Sequence, residues 1–301
     1  MAPMSPLERL RAAQKIGFVF SGGSARCAFQ IGVIERLAEL GVRPSMAIGV
    51  SAGSWNAAFV AARREARLRY FWRTFVRQPH LDLRNLFVNL SPWRYADLHR
   101  RNCTRFLGTA LHQPEALPLF VSLTRLRDRQ NVIFDARDVA DPFDLLIAAN
   151  YLPPFYTRAP RLLGERYGDG ALTNNVPYEH ALAAGCDMVV VVVMKGESEG
   201  GLYKSIDDLD HQIPAALQHR VVVIRPRHRL PVTFVERDWT KLSQLIRIGD
   251  LRTREVLLGE THPETELRAE GASFTTRVSR LFGWHRGGAG RAAVQEGPGP
   301  A

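Results

Sequence analysis

One serine of this chain lies in a setting that can make its hydroxyl a nucleophile. Ser51 is the middle residue of Gly49-Val50-Ser51-Ala52-Gly53, a G-x-S-x-G motif placed where a short apolar run gives way to a helical pattern. Such a motif holds its serine on a strained strand-to-helix turn, and the small residues two before and two after it avoid clashes with neighbouring backbone. The N-terminus of the following helix favours an oxyanion through its N–H groups and its dipole. The alternative interpretation is a tight turn of an ordinary α/β protein.

Two further segments carry groups that can act together with this serine. Gly22 and Gly23 follow an upstream apolar run, and consecutive glycines let backbone N–H groups crowd a developing negative charge. Asp169 and Gly170 follow a second run, at residues 165–167, that we interpret as the end of a strand. A carboxylate can take the serine proton during attack, whereas Asp-Gly by itself is a common turn pair.

The elements that must position these groups alternate along the chain. Short apolar runs predict strands at residues 16–20, 45–50, 118–124, 131–134, 188–194 and 221–224. Helical spacing or start and stop signals predict helices at residues 28–40, 61–84, 142–149, 174–184 and 239–258. This alternation predicts an α/β fold with a mostly parallel sheet flanked by helices. Residues 86–111 are predicted to form a helical insertion after the helix that follows Ser51.

The motifs, in this order, resemble those of the patatin-like phospholipase family. The similar stretches are S-G-G-x-A-R-x-A-x-Q-x-G-V from Ser21 to Val33, the G-x-S-x-G motif, and D-G-A from Asp169 followed by N-x-V-P from Asn174 to Pro177. The resemblance spans roughly residues 16–195. The combination of three motifs is far more specific than any one of them alone.

The resemblance implies a three-layer, patatin-like fold and a lipid acyl hydrolase of the phospholipase A or esterase type. It implies a serine–aspartate dyad, an acyl-enzyme, a lipid or acyl-ester substrate, and neither a cofactor nor a metal. Ser51 matches the nucleophile and Asp169 matches the base. The oxyanion-hole positions carried over are Gly22, Gly23, Ser24, Arg26 and Ala52, and the other motif positions are Gly49, Gly53 and Gly170.

The glycine loop departs from the family pattern at two positions. Ser24 and Cys27 stand where the family has the third and last glycines of its loop. Backbone N–H groups survive both replacements, but a side chain is strained wherever the backbone has a positive φ. This departure keeps a second hypothesis open, a non-catalytic lipid-binding or scaffold protein of the same fold.

A Ser–His–Asp hydrolase is a third hypothesis. Its base would come from His180, His211, His219 or His228. The sequence disfavours it because the glycine loop comes only one helix and one strand before Ser51, unlike the more distant oxyanion loop of α/β-hydrolases.

The charge of the chain favours anionic partners. The formal net charge of the 301 residues is +10, and arginine supplies most of the excess. Because no nucleic-acid motif accompanies this charge, we favour a membrane lipid over nucleic acid as partner.

Residues 61–84 interleave arginines with Tyr70, Phe71, Trp72 and Phe75. They predict either an aromatic stripe packed in the core or a helix that contacts an anionic membrane surface. The oligomeric state cannot be inferred.

The remaining features concern location and domain organisation. Three cysteines without metal-like spacing, no signal-peptide pattern and no apolar run near the length of a bilayer span predict a cytoplasmic location, peripheral at most to a membrane. We divide the chain into an N-terminal extension (1–15), a catalytic core (16–195), a C-terminal part of the same domain (196–286) and a disordered tail (287–301).

Overall fold

One mixed sheet runs through the part of the chain that the structure describes. The computed structural model describes residues 4–85, 87, 91–153, 155, 160–197 and 213–266, and eight strands in this part form the sheet. They are β1 (Ile16–Phe20), β2 (Met46–Val50), β3 (Leu119–Arg125), β4 (Gln130–Asp135), β5 (Arg161–Leu162), β6 (Glu165–Asp169), β7 (Met188–Val192) and β8 (Val221–Ile224). Their order is β5-β6-β3-β2-β1-β7-β8, and β4 also pairs with β3. The pairs from β3 through β2, β1 and β7 to β8 are parallel, whereas β4, β5 and β6 pair antiparallel. The predicted mostly parallel α/β sheet is confirmed.

Helices cover both faces of this sheet. They are α1 (Pro6–Ala12), α2 (Ala28–Glu39), α3 (Gly53–Ala61), α4 (Leu68–Arg77), α5 (Tyr95–Phe106), α6 (Pro142–Ala149), α7 (Tyr178–Ala183) and α8 (Trp239–Leu258). Successive residues of β1 point to opposite faces, as strand geometry requires. Phe18 and Phe20 belong to the apolar cluster that includes α2, α3 and α8, while Val19 belongs to the cluster of α7. The result is a three-layer arrangement.

The helical insertion predicted at residues 86–111 lies between α3 and β3 and contains α5, whereas the helix predicted at residues 61–84 is shorter in the structure. Arg63 has a φ of 54°, which ends the preceding helix, and α4 begins only at Leu68. At the other end Gln78 is extended (ψ 151°) because it precedes a proline, where the helical conformation is disfavoured.

The aromatic residues of α4 pack mostly in the core. Phe71, Trp72 and Phe75 are 0%, 2% and 5% exposed, whereas Tyr70 is 60% exposed. These three buried rings are therefore not available to a membrane, whereas contact between the exposed residues of this stretch and an anionic membrane surface stays a prediction. The alternative, an aromatic stripe in the core, is confirmed for these three.

The flanking parts of the chain also contribute to the core. In the N-terminal extension, α1 buries Leu7 and Leu10. In the C-terminal part, β8 adds an edge strand to the sheet and α8 packs against α2. The predictions for residues 267–286 and for the tail at 287–301 concern positions outside the described residues. Among the described helices, none has the length and apolarity to cross a membrane.

Candidate active site

The register of the sheet brings the ends of two strands together. Val50, the last residue of β2, pairs with Ser122 of β3, and Asp169, the last residue of β6, pairs with the next residue, Leu123. Because β4 pairs with β3 along both of these positions, β2 and β6 share the other edge. Because β2 is parallel to β3 and β6 is antiparallel to it, β2 and β6 run towards each other along this edge, and their C-terminal ends lie side by side. Ser51 therefore lies beside Asp169, as the dyad hypothesis requires.

Ser51 has the strained backbone of a nucleophile elbow. Its φ is 51°, in the left-handed region that side-chain-bearing residues rarely adopt. Three hydrogen bonds fix the main-chain oxygen of Ser51. It accepts them from the Ser54 N–H at 2.9 Å, from the Ser54 hydroxyl at 2.6 Å and from Nδ2 of Asn150 at 3.2 Å. The side chain of Ser51 lies in the cleft with Asp169, and its presence lowers the pKa of that carboxyl group.

Asp169 is a buried carboxyl group whose pKa is raised. The residue is 7% exposed, and its main-chain oxygen accepts the Thr124 hydroxyl at 2.8 Å. Burial raises the pKa of this carboxyl group from 3.8 to about 7, because desolvation disfavours the charged form. Hydrogen bonds from Ser51 and from the Ala171 N–H (2.9 Å) offset part of that effect. Asp169 thus has a pKa close to that of a useful base at neutral pH.

The motif glycines are required by close packing around these two residues. A Cβ on Gly49 would lie 2.3 Å from the Cα of Ser54, and one on Gly53 would lie 2.5 Å from the main-chain oxygen of Phe20. A Cβ on Gly170 would lie 2.2 Å from the Ser122 oxygen. Any side chain at these positions would push apart the backbone that carries Ser51 and Asp169.

Gly22 allows the glycine loop to approach Ser51 closely, but its N–H group is not available to an oxyanion. A Cβ on Gly22 would lie 2.7 Å from the Cβ of Ser51 and 2.9 Å from Oδ1 of Asn175. The Gly22 N–H donates to that same Asn175 oxygen at 2.7 Å, which fixes the loop. The prediction that Gly22 belongs to the oxyanion hole is therefore corrected: its N–H is already bonded.

The two departures from the glycine pattern differ in their backbone. Ser24 has a φ of 53°, so the expected strain is present there. Its hydroxyl donates to the main-chain oxygen of Phe234 at 2.6 Å, and the Ala25 N–H donates to the same oxygen at 3.3 Å. Cys27 has an ordinary φ of −63° and is fully buried, so it carries no such strain. Arg26 lies half-buried in the intervening 3-10 turn and does not line the cleft.

Three backbone amides near Ser51 are available to a ligand. Within the described part of the chain, no hydrogen bond uses the N–H of Gly23, Ser24 or Ala52. Ala52 is also the N-cap of α3, where unsatisfied N–H groups and the helix dipole favour negative charge. These are the donors that an oxyanion hole needs.

A cleft with a mainly aromatic and aliphatic lining opens over Ser51 and Asp169. Its walls come from the glycine loop, α3, α4, α5 and two connecting segments. The lining residues are Ser24, Ala25, Ser51, Ala52, Trp55, Trp72, Phe75, Val76, His80, Tyr95, His99, Asn150, Leu152, Phe155, Asp169, Phe234, Val235, Glu236 and Arg237. An apolar cleft of this kind suits a hydrocarbon chain.

The histidines considered for a triad lie away from this cleft. His180 packs its ring 4.8 Å from that of Phe120, His219 is exposed, and His228 pairs with Glu266 at 2.9 Å. None of the three lines the cleft. His211 lies outside the described residues.

Two other histidines do line the cleft. Nε2 of His80 bonds the main-chain oxygen of Phe75 at 2.8 Å, and the ring of His99 lies 3.9 Å from that of Trp55. Burial lowers the pKa of both imidazoles, which keeps them neutral. No group of three His, Cys, Asp or Glu side chains in the described residues is arranged to hold a metal ion.

Several residues of the site were missed by sequence reasoning. Asn175 fixes the glycine loop, Asn150 holds the Ser51 carbonyl, and residues 234–237 form one wall of the cleft. Asn175 follows the D-G-A motif within N-N-V-P, and this position could have been flagged. Nothing in the sequence around Asn150 or residues 234–237 signals a site, because these groups meet Ser51 only through the fold.

Comparison with known proteins identifies related chains. A sequence model described as patatin-like phospholipase matches residues 18–182. A patatin-like phospholipase domain-containing protein of Caenorhabditis elegans is 25% identical over 198 residues, which are 62% of this chain and 17% of that protein. This chain thus spans a small part of that relative's length.

Two solved structures align with this chain. VipD from Legionella pneumophila aligns with a TM-score of 0.50 and 13% identity over 85% of this chain and 72% of that one. The type III effector protein ExoU aligns with a TM-score of 0.40 and 15% identity over 84% of this chain and 53% of that one. The family match covers more than half of the chain and includes both Ser51 and Asp169. The protein belongs to the patatin-like phospholipase family.

Proposed function

We propose that this protein is a serine lipid acyl hydrolase that cleaves fatty-acyl esters through a Ser51–Asp169 dyad. The observation that carries the proposal is the position of Ser51, on its strained turn, beside a buried carboxyl group whose pKa is raised to about 7. A serine hydroxyl becomes an effective nucleophile when an adjacent base takes its proton during attack. Asp169 is such a base.

The reaction has two halves. In the first, Ser51 Oγ attacks the ester carbonyl carbon while its proton passes to Asp169, and the resulting oxyanion accepts hydrogen bonds from the N–H groups of Gly23, Ser24 and Ala52. The tetrahedral intermediate collapses, Asp169 returns the proton to the leaving alkoxide, and the acyl group stays on Ser51. In the second half Asp169 takes a proton from water, whose oxygen attacks the acyl-enzyme, and the fatty acid leaves as Ser51 is reprotonated.

The lining of the cleft supports a fatty-acyl group as the part of the substrate that is bound. Trp55, Trp72 and Phe75 present ring surface to the cleft next to Ser51. An acyl chain buried against these rings gains roughly 0.8 kcal/mol for each methylene group. Phospholipids and simple carboxylic esters both supply such a chain.

Contact with a lipid surface is part of this proposal. Leu81, Leu83 and Phe87 are 54%, 73% and 91% exposed on the segment that follows the cleft residue His80. Leu81 forms a bridge with Trp93, whose ring lies 5.0 Å from that of Phe155 in the cleft wall. These side chains can enter the acyl boundary beside the mouth of the cleft. Sedimentation with neutral and anionic liposomes tests this: the Phe87→Ala protein is expected to sediment less than the parent protein, and equal sedimentation would contradict the contact.

The hydrolase proposal is tested with a p-nitrophenyl acyl ester. The parent protein, Ser51→Ala, Asp169→Asn and the exposed control Asp138→Asn are purified side by side and checked for folding by circular dichroism. The two dyad variants are expected to lose about a hundredfold or more of the rate, while the control keeps it.

Other outcomes favour the other hypotheses. Equal rates in all four proteins would mean that there is no dyad and would favour a non-catalytic lipid-binding or scaffold protein. Full activity in Asp169→Asn, with complete loss in a His80→Gln or His99→Gln variant, would favour a serine–histidine mechanism.

A further inference from the structure

Residues 234–237 form a short segment that is fixed at both ends across the cleft. At one end the main-chain oxygen of Phe234 accepts hydrogen bonds from the Ser24 hydroxyl and the Ala25 N–H. At the other end Arg237 donates from Nε to the Val76 oxygen at 3.2 Å and from Nη2 to the Gln78 oxygen at 2.7 Å. The guanidinium of Arg237 is therefore held in one place at the wall of the cleft.

Within the part of the chain that the structure describes, no carboxylate neutralises the charge of Arg237. No ion pair joins its guanidinium to an acidic side chain among the described residues. The neighbouring Glu236, which also lines the cleft, directs its carboxylate to Lys241 at 3.3 Å and to the main-chain N–H groups of Arg237 and Asp238. Arg100, by contrast, pairs with two aspartates. Main-chain carbonyls position the Arg237 guanidinium but leave its positive charge available.

The field of this charge reaches the interior of the cleft. Burial lowers the pKa of His80, and the positive charge of Arg237 lowers it further. Burial raises the pKa of the Tyr95 hydroxyl, and Arg237 offsets part of that change. Both residues line the cleft with Arg237. A ligand in the cleft is therefore exposed to the same field.

We propose that Arg237 binds an anionic group of the substrate, a phosphate or a carboxylate attached to the acyl ester, and so makes the enzyme selective for negatively charged esters. This inference rests on the proposed hydrolase function and deepens it. Arg237 is exposed, and its N–H donors that do not bond Val76 and Gln78 are free to form charge-assisted hydrogen bonds with oxyanions. The acyl chain would lie along the aromatic wall while the anionic group meets Arg237.

A purely structural role for Arg237 makes a different prediction. Val76 and Gln78 lie at the C-terminal end of α4, where a cation that bonds the last carbonyls stabilises the helix. Loss of such a cap would lower stability and would slow the hydrolysis of all esters alike. The ratio of rates on an anionic and a neutral ester separates the two roles, because only a substrate contact changes it.

The test uses three monoacylated compounds with the same acyl chain: a monoacylglycerol, its 3-phosphate and its hemisuccinate, each below its critical micelle concentration. Fatty acid release by the parent protein is compared with Arg237→Gln, Arg237→Lys and Arg247→Gln. Arg247 pairs with Glu264 on the exposed side of α8, so its replacement is a control for the change in net charge. Unfolding temperatures are measured for each protein.

We expect the parent protein to prefer the anionic esters in kcat/KM, and Arg237→Gln to reduce that preference about tenfold, mainly through KM. Arg237→Lys should keep part of the preference, and the control all of it. The phosphate and hemisuccinate arms show which anion is recognised. If the parent shows no preference, or Arg237→Gln keeps it, the inference is wrong while the hydrolase function stands. If no ester is cleaved in a Ser51-dependent way, the hydrolase proposal fails and the inference fails with it.

Discussion

Ser51 and Asp169 lie side by side at one edge of β3, and the Ser51 side chain lowers the otherwise raised pKa of the Asp169 carboxyl group. The sheet itself creates this contact, since two strands that approach from opposite directions end at the consecutive residues Ser122 and Leu123. The proximity of the two residues of the proposed dyad is thus set by backbone pairing, and Ser54 and Asn150 hold the main chain of the strained Ser51 turn.

The activity should depend on pH through Asp169. Acylation needs this residue as a carboxylate, and its pKa of about 7 means that the base form accumulates only as the pH rises through neutrality. We expect kcat/KM for a soluble ester to rise with an inflection near that value and to level off above it. A profile recorded from about pH 5 to about pH 9 measures this. A flat profile over that range would show that the group is an ordinary ionised aspartate.

The stability should also depend on pH, in the opposite direction. Folded Asp169 keeps its proton up to about pH 7, whereas the unfolded chain releases it near the ordinary value of 3.8, so the folded state binds more protons between these two values. The contribution of Asp169 to the free energy of unfolding is therefore fully present below its pKa in the unfolded chain and is lost as the pH rises through its pKa in the folded protein. The loss is on the order of 4 kcal/mol of unfolding free energy. Urea unfolding of the parent protein and of Asp169→Asn measures this loss. The free energy of unfolding of the variant should increase relative to that of the parent as the pH rises. A difference between the two proteins that does not change with pH would contradict the raised pKa.

Gly22→Ala should disrupt the site. The added methyl group would meet Ser51 and Asn175 at less than ordinary contact distance, so the glycine loop and the nucleophile turn must move apart. We expect at least a hundredfold loss of ester hydrolysis. The control is Gly41→Ala, because Gly41 has a φ of 75° but no atom near its added Cβ. That variant should lose about 1 kcal/mol of stability and keep its activity. Equal activities of the two variants would contradict the close packing at Gly22.

Ser24 combines two effects that separate variants can distinguish. Replacement by glycine relieves the strain of the positive φ but removes the hydrogen bond to Phe234, and replacement by alanine removes the bond and keeps the strain. We expect Ser24→Ala to be less stable than Ser24→Gly by about 1 kcal/mol. Both variants should hydrolyse esters more slowly than the parent, because the 234–237 segment loses the shorter of its two hydrogen bonds to the glycine loop and keeps only the one from the Ala25 N–H. Thermal unfolding and initial rates provide the measurements. If Ser24→Gly is faster than the parent, the link does not serve catalysis.

The sequence predicts the elements with strong periodic or motif signals and misses those that depend on distant partners. The strand at residues 16–20 and the helix at residues 239–258 were predicted with the bounds that the structure shows. The antiparallel pairing of β6 was not predicted, although it is what brings Asp169 to Ser51, because register along β3 is set by tertiary packing. The helix predicted at 61–84 is too long at both ends: the proline after Gln78 is a stop signal that the sequence carries, whereas the positive φ of Arg63 is visible only in the structure.

The candidate site also combines residues that the sequence signals locally with residues that only the fold brings together. Ser51 and Asp169 stand in motifs, so their positions could be proposed before the fold was known. Arg237 is one of many arginines in a chain with a net charge of +10, and only the carbonyl groups of Val76 and Gln78 distinguish it. A contact across this sequence distance leaves no local signal.

The most direct test of the dyad is covalent labelling by a fluorophosphonate probe, which reacts with an activated serine without assuming a substrate. The labelled peptide is identified by mass spectrometry in the parent protein, Ser51→Ala, Asp169→Asn and Asp138→Asn. We predict rapid labelling at Ser51 in the parent and the control, none in Ser51→Ala, and strongly slowed labelling in Asp169→Asn. Labelling at Ser51 that is equally fast without the Asp169 carboxylate, or no labelling of Ser51 in the folded parent protein, would contradict the account.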